Sequence, residues 1–275
     1  MKFTINARGK NYDFFFHKED KGNGSGMRKI LKGKTYPLIN GISPKVICDV
    51  GANIGATSVF FALNYPNSSI FSFEPTSINF NLLKKNIKGF LNINAYQFGV
   101  YKENKFQDIY IDRTSPGRNS IFQNWNEGNL IEQIQLINLS QFLEEKQLGS
   151  VDILKIDTEG CELPILLSLK KYIPKIKVIY LEYHSKKDRD DIVELLKKTH
   201  VLGREVLVGF SRNKVDEKLI GKKCLEKVEI EGKSIIKVGD IIDVNKLADL
   251  RKANKLEIMV RSHNLGEVIF ISNKL

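Results

Sequence analysis

Cysteine is scarce in this chain, with only Cys48, Cys161 and Cys224 among 275 residues, and no two of them are neighbours in sequence. An odd number without a Cys-x-x-Cys pair argues against a disulfide framework and against a cysteine-ligated zinc site. No apolar run reaches the length of a bilayer span, and Met1–Asn6 lacks the apolar core of a signal peptide. These absences predict a cytoplasmic protein without a membrane span.

Long runs of like charge are also missing, although Lys and Arg outnumber Asp and Glu by 43 to 32 and the formal net charge is +11. A basic excess can indicate an acidic partner such as RNA, a nucleotide-linked sugar or a membrane surface. Here the positive residues are scattered, and the chain has no aromatic and basic module of the kind that binds RNA. We therefore interpret the excess as solvated surface lysine, and a nucleic-acid partner is not expected.

The most informative stretch is Val46–Pro75, in which an apolar strand ends on Asp49 and a second one ends on Glu74. Between the strands lie a glycine turn, Gly51–Gly55, and an apolar segment at helical spacing. This order is typical of a nucleotide-binding α/β unit: a strand, a glycine turn, a helix, and a second strand that ends on an acid. Because Ala56 and not lysine follows the turn, a triphosphate loop is excluded, and the Gly-x-x-x-Gly spacing is not that of dinucleotide-binding folds.

The acid before the turn favours a ligand that carries positive charge. Asp49 would repel a pyrophosphate but suits a cation, and S-adenosylmethionine has both a sulfonium and an α-ammonium group. Glu74 can accept hydrogen bonds from the two ribose hydroxyls. Gly51 and Gly55 let the backbone approach the methionine portion, because neither has a Cβ, and Asn53 adds an amide. The residues themselves therefore predict S-adenosylmethionine as the cofactor.

Strands and helices alternate through the centre of the chain and predict an α/β fold with a doubly wound, mostly parallel, seven-stranded Rossmann-like sheet. The expected strands are 46–50, 69–74, 92–98, Val151–Ile156, Val178–Tyr183, Val206–Phe210 and Glu267–Ser272, with helices at 55–64, 76–88, 161–171 and 188–199. Phe106–Ile111 and Ile131–Ile137 are expected to form a hairpin.

We predict that the chain is divided into three regions. Residues 1–40 form an N-terminal extension that caps the substrate side, and residues 41–275 form the main domain. Within it, 211–265 is a possible accessory insertion, with a hairpin at 227–238 and a helix at Asp243–Arg251. In the extension, Phe14–Phe16 can pack on the core or line a substrate cleft, and packing is the preferred interpretation.

Polar residues follow several of the predicted strands. Asp49, Glu74, Gly99, Asp157 and His184 all fall at the carboxyl ends of strands. Ligands of doubly wound sheets bind beyond those ends, so we expect one composite site. The expected cofactor-binding residues are Asp49, Gly51, Asn53, Gly55, Glu74, Gly99, Val100 and Asp157.

Three motifs together resemble the FkbM family of class I methyltransferases: Asp49–Gly55, Phe73–Pro75 and Lys155–Glu162. The resemblance covers roughly residues 45 to 185. The chain departs from the family at Leu139-Ser140, where Leu-Asp is usual. The resemblance implies a methyltransferase sheet and methyl transfer from S-adenosylmethionine, usually to a hydroxyl oxygen of a natural product, sugar or lipid-linked glycan. We therefore expect a small-molecule, sugar or glycan acceptor.

A hydroxyl acceptor must lose its proton during transfer, which requires a base within hydrogen-bonding reach. His184 is the first candidate because its ordinary pKa is near neutral. Asp157 and Glu159 are the other catalytic candidates, and either could instead orient the acceptor or hold the histidine. These three with Glu182 could also bind Mg²⁺ or Mn²⁺. We rank metal-free catalysis first; an RNA methyltransferase and a non-catalytic nucleoside-binding protein are the alternative functions.

Overall fold

A computed structural model describes residues 1–7, 9–20, 24–112, 119–122, 130–207, 241–243 and 266–275. Its strands are β1 Lys2–Ala7, β2 Lys10–Phe15, β3 Leu38–Asn40, β4 Val46–Val50, β5 Ser69–Phe73, β6 Ile93–Tyr96, β7 Gly99–Tyr101, β8 Lys105–Ile111, β9 Leu130–Asn138, β10 Ile153–Ile156, β11 Val178–Tyr183, β12 His200–Leu207, β13 Ile241–Asp243 and β14 Gly266–Ser272. Its α-helices are α1 Ser25–Leu31, α2 Ala56–Asn64, α3 Ser77–Asn86, α4 Leu139–Glu145, α5 Glu162–Ser168 and α6 Lys186–Leu196. None of the helices in these ranges is long and apolar enough to cross a membrane.

Seven strands form the main sheet, in the order β12-β14-β11-β10-β4-β5-β6. The five from β11 to β6 are parallel, whereas β14 runs antiparallel to both of its neighbours. Central parallel strands are covered on both faces and are therefore mostly apolar, as in Ile47-Cys48 and Ile153-Leu154. The predicted doubly wound, mostly parallel seven-stranded sheet is confirmed.

Helices cover both faces of the sheet because successive strand residues point to opposite sides. Cys48 and its same-face neighbours pack with α4, α5 and α6, through residues such as Leu143, Ile165 and Ile192. Ile47 faces the other side, where Phe61 of α2 covers the sheet. Each face therefore has its own apolar core, and the strand ends are left for polar residues.

The edge of the sheet differs from the predicted boundaries. The predicted strand Val206–Phe210 starts earlier, at His200, and the preceding helix ends at Leu196 instead of 199. His200 is buried, and its Nε2 lies 3.0 Å from the carbonyl oxygen of Ile176. The strand therefore begins directly after the predicted end of the helix, in a segment to which the sequence assigned no element, and the contact of His200 with Ile176 holds its start in place.

A smaller three-stranded sheet, β7-β9-β8, stands beside the main one. The antiparallel pairing of β8 with β9 confirms the predicted hairpin. Gly99 lies so close to β9 that a Cβ there would be 2.4 Å from Cδ2 of Leu136. The same position would be 3.5 Å from Cβ of Pro75, so the small sheet lies beside the carboxyl end of β5, where it forms a wall of the cleft described below.

The N-terminal residues form an antiparallel hairpin, β1 with β2, that packs on the main domain. Phe14 and Phe16 are buried with Ile54 and Val59, so packing, the preferred interpretation for these phenylalanines, is what the structure shows. Phe15 exchanges two backbone hydrogen bonds with the Asn86 side chain.

The short strand β3 pairs in parallel with β13. Asp243 therefore ends a strand, where the sequence predicted the first residue of a helix; the remainder of that helix and the hairpin at 227–238 lie outside the described residues. The division into extension, main domain and insertion stays a prediction.

Candidate active site

The glycine turn after β4 is shaped by close packing. Gly51, with a φ of 73°, would place a Cβ 1.8 Å from the carbonyl oxygen of Asp157. Gly55, with a φ of 90°, would place one 2.6 Å from Cδ1 of Leu83. Asn53 also has a positive φ, of 50°, a conformation that asparagine tolerates better than most residues. Both glycines are thus required by neighbouring protein atoms, whatever ligand the turn approaches.

Glu74 at the end of β5 is a buried carboxylate that the turn holds in place. Its Oε2 accepts a hydrogen bond from the Asn53 amide at 3.0 Å, and its Oε1 accepts from the Thr76 amide at 3.0 Å and hydroxyl at 2.6 Å. Burial raises its pKa above the ordinary value, although these hydrogen bonds oppose the rise. Only 5% of Glu74 is exposed, and that surface lines the cleft.

Asp49 lies behind the turn and is fully buried. It accepts a hydrogen bond from the Ser58 hydroxyl at 2.6 Å, and its Oδ1 is 3.3 Å from Nζ of Lys155. Asp49 therefore faces α2 and a lysine, and it is not among the residues that line the cleft. Its direct contact with a cofactor stays a prediction.

Lys155 was missed as a site residue, although a lysine between Leu154 and Ile156 in a buried strand is an unusual signal. Its Nζ donates to the Gly51 carbonyl at 2.6 Å and is 3.7 Å from Oδ2 of Asp157. Burial lowers the pKa of Lys155, but the carboxylates of Asp49 and Asp157 outweigh burial and raise it. Lys155 is therefore a buried cation that ties the glycine turn to the end of β10.

A cleft of about 640 Å³, including its open mouth, runs along the carboxyl ends of β4, β5 and β10. The predicted residues that line it are Gly51, Asn53, Glu74, Gly99, Val100, Asp157 and Glu159. Asp49, Gly55 and His184 are predicted site residues that do not line it. The small sheet supplies an apolar wall from Ile109, Ile134 and Leu136.

The turn after β10 presents Glu159 to the cleft. Glu162 is 1% exposed and accepts hydrogen bonds from the amides of Thr158 and Gly160, which fixes the turn. Glu159 has a φ of 54°, an unfavourable conformation for a non-glycine residue, and its carbonyl accepts a hydrogen bond from the Ser120 hydroxyl. A strained residue whose side chain lines a cleft is a candidate for a functional role.

His184 is held between two glutamates. Its Nε2 is 3.1 Å from Oε2 of Glu159, and its Nδ1 is 3.4 Å from Oε1 of Glu162. Burial lowers the pKa of His184, but the two carboxylates outweigh burial and raise it to about 11. The imidazole is thus protonated at neutral pH and has no free lone pair to accept a proton. This charge state does not favour His184 as the base, and its catalytic role stays a prediction.

The catalytic candidates Asp157, Glu159 and His184 do lie together, with one ligand atom of each within 4.8 Å of the others. Glu182 is adjacent, with Oε1 4.0 Å from Nε2 of His184. A metal would need His184 without its second proton, because a metal-bound imidazole is neutral. The ion pairs with Glu159 and Glu162 favour the protonated form instead, and metal-free catalysis stays a prediction.

Comparison with known proteins assigns the family. Residues 49–207 match the model of the methyltransferase FkbM domain, which is more than half of the chain. The chain belongs to the FkbM methyltransferase family. This confirms the resemblance carried by the three motifs, and with it the S-adenosylmethionine-dependent methyltransferase class.

Two named relatives show how similar this FkbM-family chain is to known methyltransferases. Methyltransferase 1 of Beauveria bassiana is 27% identical over 162 residues, covering 52% of this chain and 65% of the relative. Hexuronic acid methyltransferase AglP of Haloferax volcanii is 24% identical over 152 residues, covering 55% and 61%. The chain thus spans less than two thirds of the length of these relatives.

Among solved structures, a fibrillarin pre-rRNA processing protein of Methanococcus jannaschii aligns with a TM-score of 0.47 at 11% identity. The alignment covers 98% of this chain and 82% of that protein. The strand order of the main sheet, and not this likeness, establishes the fold.

Proposed function

We propose that this protein transfers a methyl group from S-adenosylmethionine to a hydroxyl oxygen of a small molecule, sugar or glycan. The observation that carries the proposal is a cleft in which Glu74, after β5, meets Asp157 and Glu159, after β10. The name of the AglP relative, a hexuronic acid methyltransferase, supports a sugar acceptor.

The donor half of the cleft fits S-adenosylmethionine. The carboxylate of Glu74 is fixed at a strand end, where it would accept hydrogen bonds from the ribose hydroxyls. Gly99 and Val100, with the apolar wall, would hold the adenine, and Gly51 with Asn53 would hold the methionine portion. The bound cofactor supplies a methyl group on a sulfonium, which is an electrophile that needs no metal.

We assign Glu159 as the general base that removes the proton of the acceptor hydroxyl. Burial raises the pKa of Glu159 above its ordinary value, with Asp157 adding to the rise and His184 opposing it, so it is a stronger base than an exposed glutamate. The imidazolium of His184 lies 3.1 Å from its Oε2 and fixes the carboxylate in direction. Glu159 takes the hydroxyl proton while the acceptor oxygen becomes nucleophilic, and Asp157 orients the reactants.

The charges in the cleft refine the choice of acceptor. The charged residues among the described lining are all acidic: Glu74, Asp157 and Glu159. An anionic acceptor would be repelled there, whereas a neutral hydroxyl would not. We therefore place neutral sugars ahead of hexuronic acids.

The test uses the purified protein with S-adenosylmethionine labelled in its methyl group. Neutral hexoses, hexuronic acids, their glycosides and bulk tRNA are offered in parallel, and mass spectrometry locates the new methyl group. We expect label on a sugar oxygen, with turnover lowered at least ~100-fold in Glu159→Gln because the base is lost. Label in tRNA alone would replace the proposal with the RNA methyltransferase alternative. Absence of S-adenosylmethionine binding in calorimetry would overturn any methyltransferase activity for this chain.

A further inference from the structure

Tyr36 connects the N-terminal region to the candidate active site across 121 residues of sequence. It is 5% exposed, and its hydroxyl donates a hydrogen bond to Oδ2 of Asp157 at 3.3 Å. Its ring packs edge-on against Tyr180, with ring centroids 5.7 Å apart. The Tyr180 hydroxyl in turn donates to the carbonyl of Pro37 at 2.6 Å, which anchors the backbone beside Tyr36.

The same carboxylate oxygen also has a buried cation nearby. Nζ of Lys155 lies 3.7 Å from Oδ2 of Asp157 and also binds the glycine turn through the Gly51 carbonyl. Oδ2 therefore has both the Tyr36 phenol and the Lys155 ammonium nearby. The Asp157 side chain is nevertheless 25% exposed and lines the cleft.

The phenol is a donor at every practical pH. Burial, followed by the negative charge of Asp157, raises the pKa of Tyr36 well above its ordinary value, so the hydroxyl keeps its proton. A donor to a charged acceptor makes a stronger hydrogen bond than one between neutral groups. Loss of this hydroxyl would leave Lys155 as the remaining described contact on Oδ2 and would free the carboxylate to rotate.

We propose that Tyr36 is a positioning residue that fixes the Asp157 carboxylate toward the sulfonium of the methyl donor. The proposal rests on the proposed function and adds a member to that site from outside the sequence motifs. S-adenosylhomocysteine lacks the methyl group and the positive charge of S-adenosylmethionine. A carboxylate fixed toward the sulfonium should therefore favour S-adenosylmethionine over S-adenosylhomocysteine, and a rotating one should not.

The experiment compares Tyr36→Phe with a matched control, Tyr65→Phe. Tyr36, Tyr180, Phe61 and Tyr65 form one row of ring contacts, so the control removes a hydroxyl from the far end of the same row. Calorimetry measures the Kd for S-adenosylmethionine and for S-adenosylhomocysteine in each variant. Thermal unfolding checks that each variant is folded.

We expect Tyr36→Phe to weaken S-adenosylmethionine binding by about fivefold, as befits one charge-assisted hydrogen bond acting indirectly, and to change S-adenosylhomocysteine binding by less than about twofold. Tyr65→Phe should change neither. An unchanged ratio of the two Kd values in folded Tyr36→Phe would overturn the positioning role and leave the proposed function intact. A wild-type protein that binds neither ligand would overturn the proposed function itself.

Asp157→Asn provides a second route that does not depend on the folding of the tyrosine variant. Asp157→Asn should lose the preference for S-adenosylmethionine over S-adenosylhomocysteine at least as far as Tyr36→Phe does. The double variant should then lose no more than Asp157→Asn alone, because Tyr36 acts through that carboxylate. Additive losses, or an unchanged preference in Asp157→Asn, would overturn the proposal.

Discussion

Replacing His184 by glutamine should remove a large part of the protein's sensitivity to alkaline pH. The pKa of His184 rises from an ordinary 6.5 to about 11 in the folded state, because Glu159 and Glu162 outweigh the effect of burial. Between these values the folded protein holds one proton more than the unfolded chain. Its contribution to the free energy of unfolding is therefore complete below pH 6.5 and disappears as pH rises through about 11.

The slope follows from the proton count. One extra bound proton in the folded state lowers the free energy of unfolding by ~1.4 kcal/mol for each unit of rising pH. From pH 7.5 to 9.5 the wild-type protein should lose ~3 kcal/mol through His184 alone. His184→Gln has no such proton, so the stability difference between the two proteins should shrink by that amount. At pH 7.5 the variant should be less stable by ~3–5 kcal/mol, because two buried carboxylates lose their cation.

Urea unfolding of both proteins at pH 7.5, 8.5 and 9.5 measures this difference, and titrating groups that do not contact His184 cancel because both proteins have them. His200→Gln is the control. Burial lowers the pKa of His200 to about 4, against the opposing hydrogen bond with the Ile176 carbonyl, so His200 is neutral in both states above pH 7.5. The difference in the free energy of unfolding between His200→Gln and the wild-type protein should stay constant from pH 7.5 to 9.5. A constant difference for His184→Gln would refute the charge assignment and restore His184 as a candidate base.

Three further predictions address the turn and the strand ends. Glu74→Gln should raise the Kd for S-adenosylmethionine about tenfold or more in calorimetry, because a charged acceptor is lost, whereas Glu132→Gln, outside the cleft, should not. Gly51→Ala should lower the free energy of unfolding by more than ~2 kcal/mol, because the added Cβ would overlap the Asp157 carbonyl. The control Gly149→Ala has open space around the added Cβ and should change the free energy of unfolding little. Glu159→Gly should relieve a positive φ of 54° yet lower turnover at least ~100-fold with S-adenosylmethionine affinity retained.

Each of these has a clear contrary result. Unchanged affinity in Glu74→Gln would remove the ribose assignment. Equal stability of the alanine variants at Gly51 and Gly149 would contradict the close approach of β4 and β10. Full turnover in Glu159→Gly would show that Glu159 is not the base and would favour Asp157 as the proton acceptor.

The donor half of the site could be predicted because its signals are local. The order of strand, glycine turn, helix and strand is contained within Val46–Pro75, and parallel strands place their carboxyl ends at one edge. Glu74, Gly99 and Asp157 therefore reach the same cleft, as their strand-end positions indicate. Apolar runs in the inner strands gave most strand boundaries for the same reason, since burial on both faces leaves few polar interruptions.

The remainder of the site depends on distances that no local pattern encodes. The contact of Tyr36 with Asp157 arises only after the N-terminal region docks. The charge of His184 depends on two carboxylates that the turn after β10 brings to within 3.4 Å. A strand-end histidine without these neighbours would titrate near neutrality, which is why sequence alone favoured it as a base.

Carboxylates outnumber the two buried cations beside the cleft, and this excess supports the proposal of a positively charged ligand. Lys155 lies between Asp49 and Asp157, and His184 lies between Glu159 and Glu162, so four formal negative charges face two positive ones. The excess of two acids is distributed along the end of β10, at the junction between the donor and acceptor halves. Under the proposed function, the cationic preference predicted from Asp49 would belong to the whole cluster, in which Asp49 would act through Lys155 and Asp157 would face the ligand. A sulfonium there would reduce the net negative charge, whereas a phosphate would increase the repulsion.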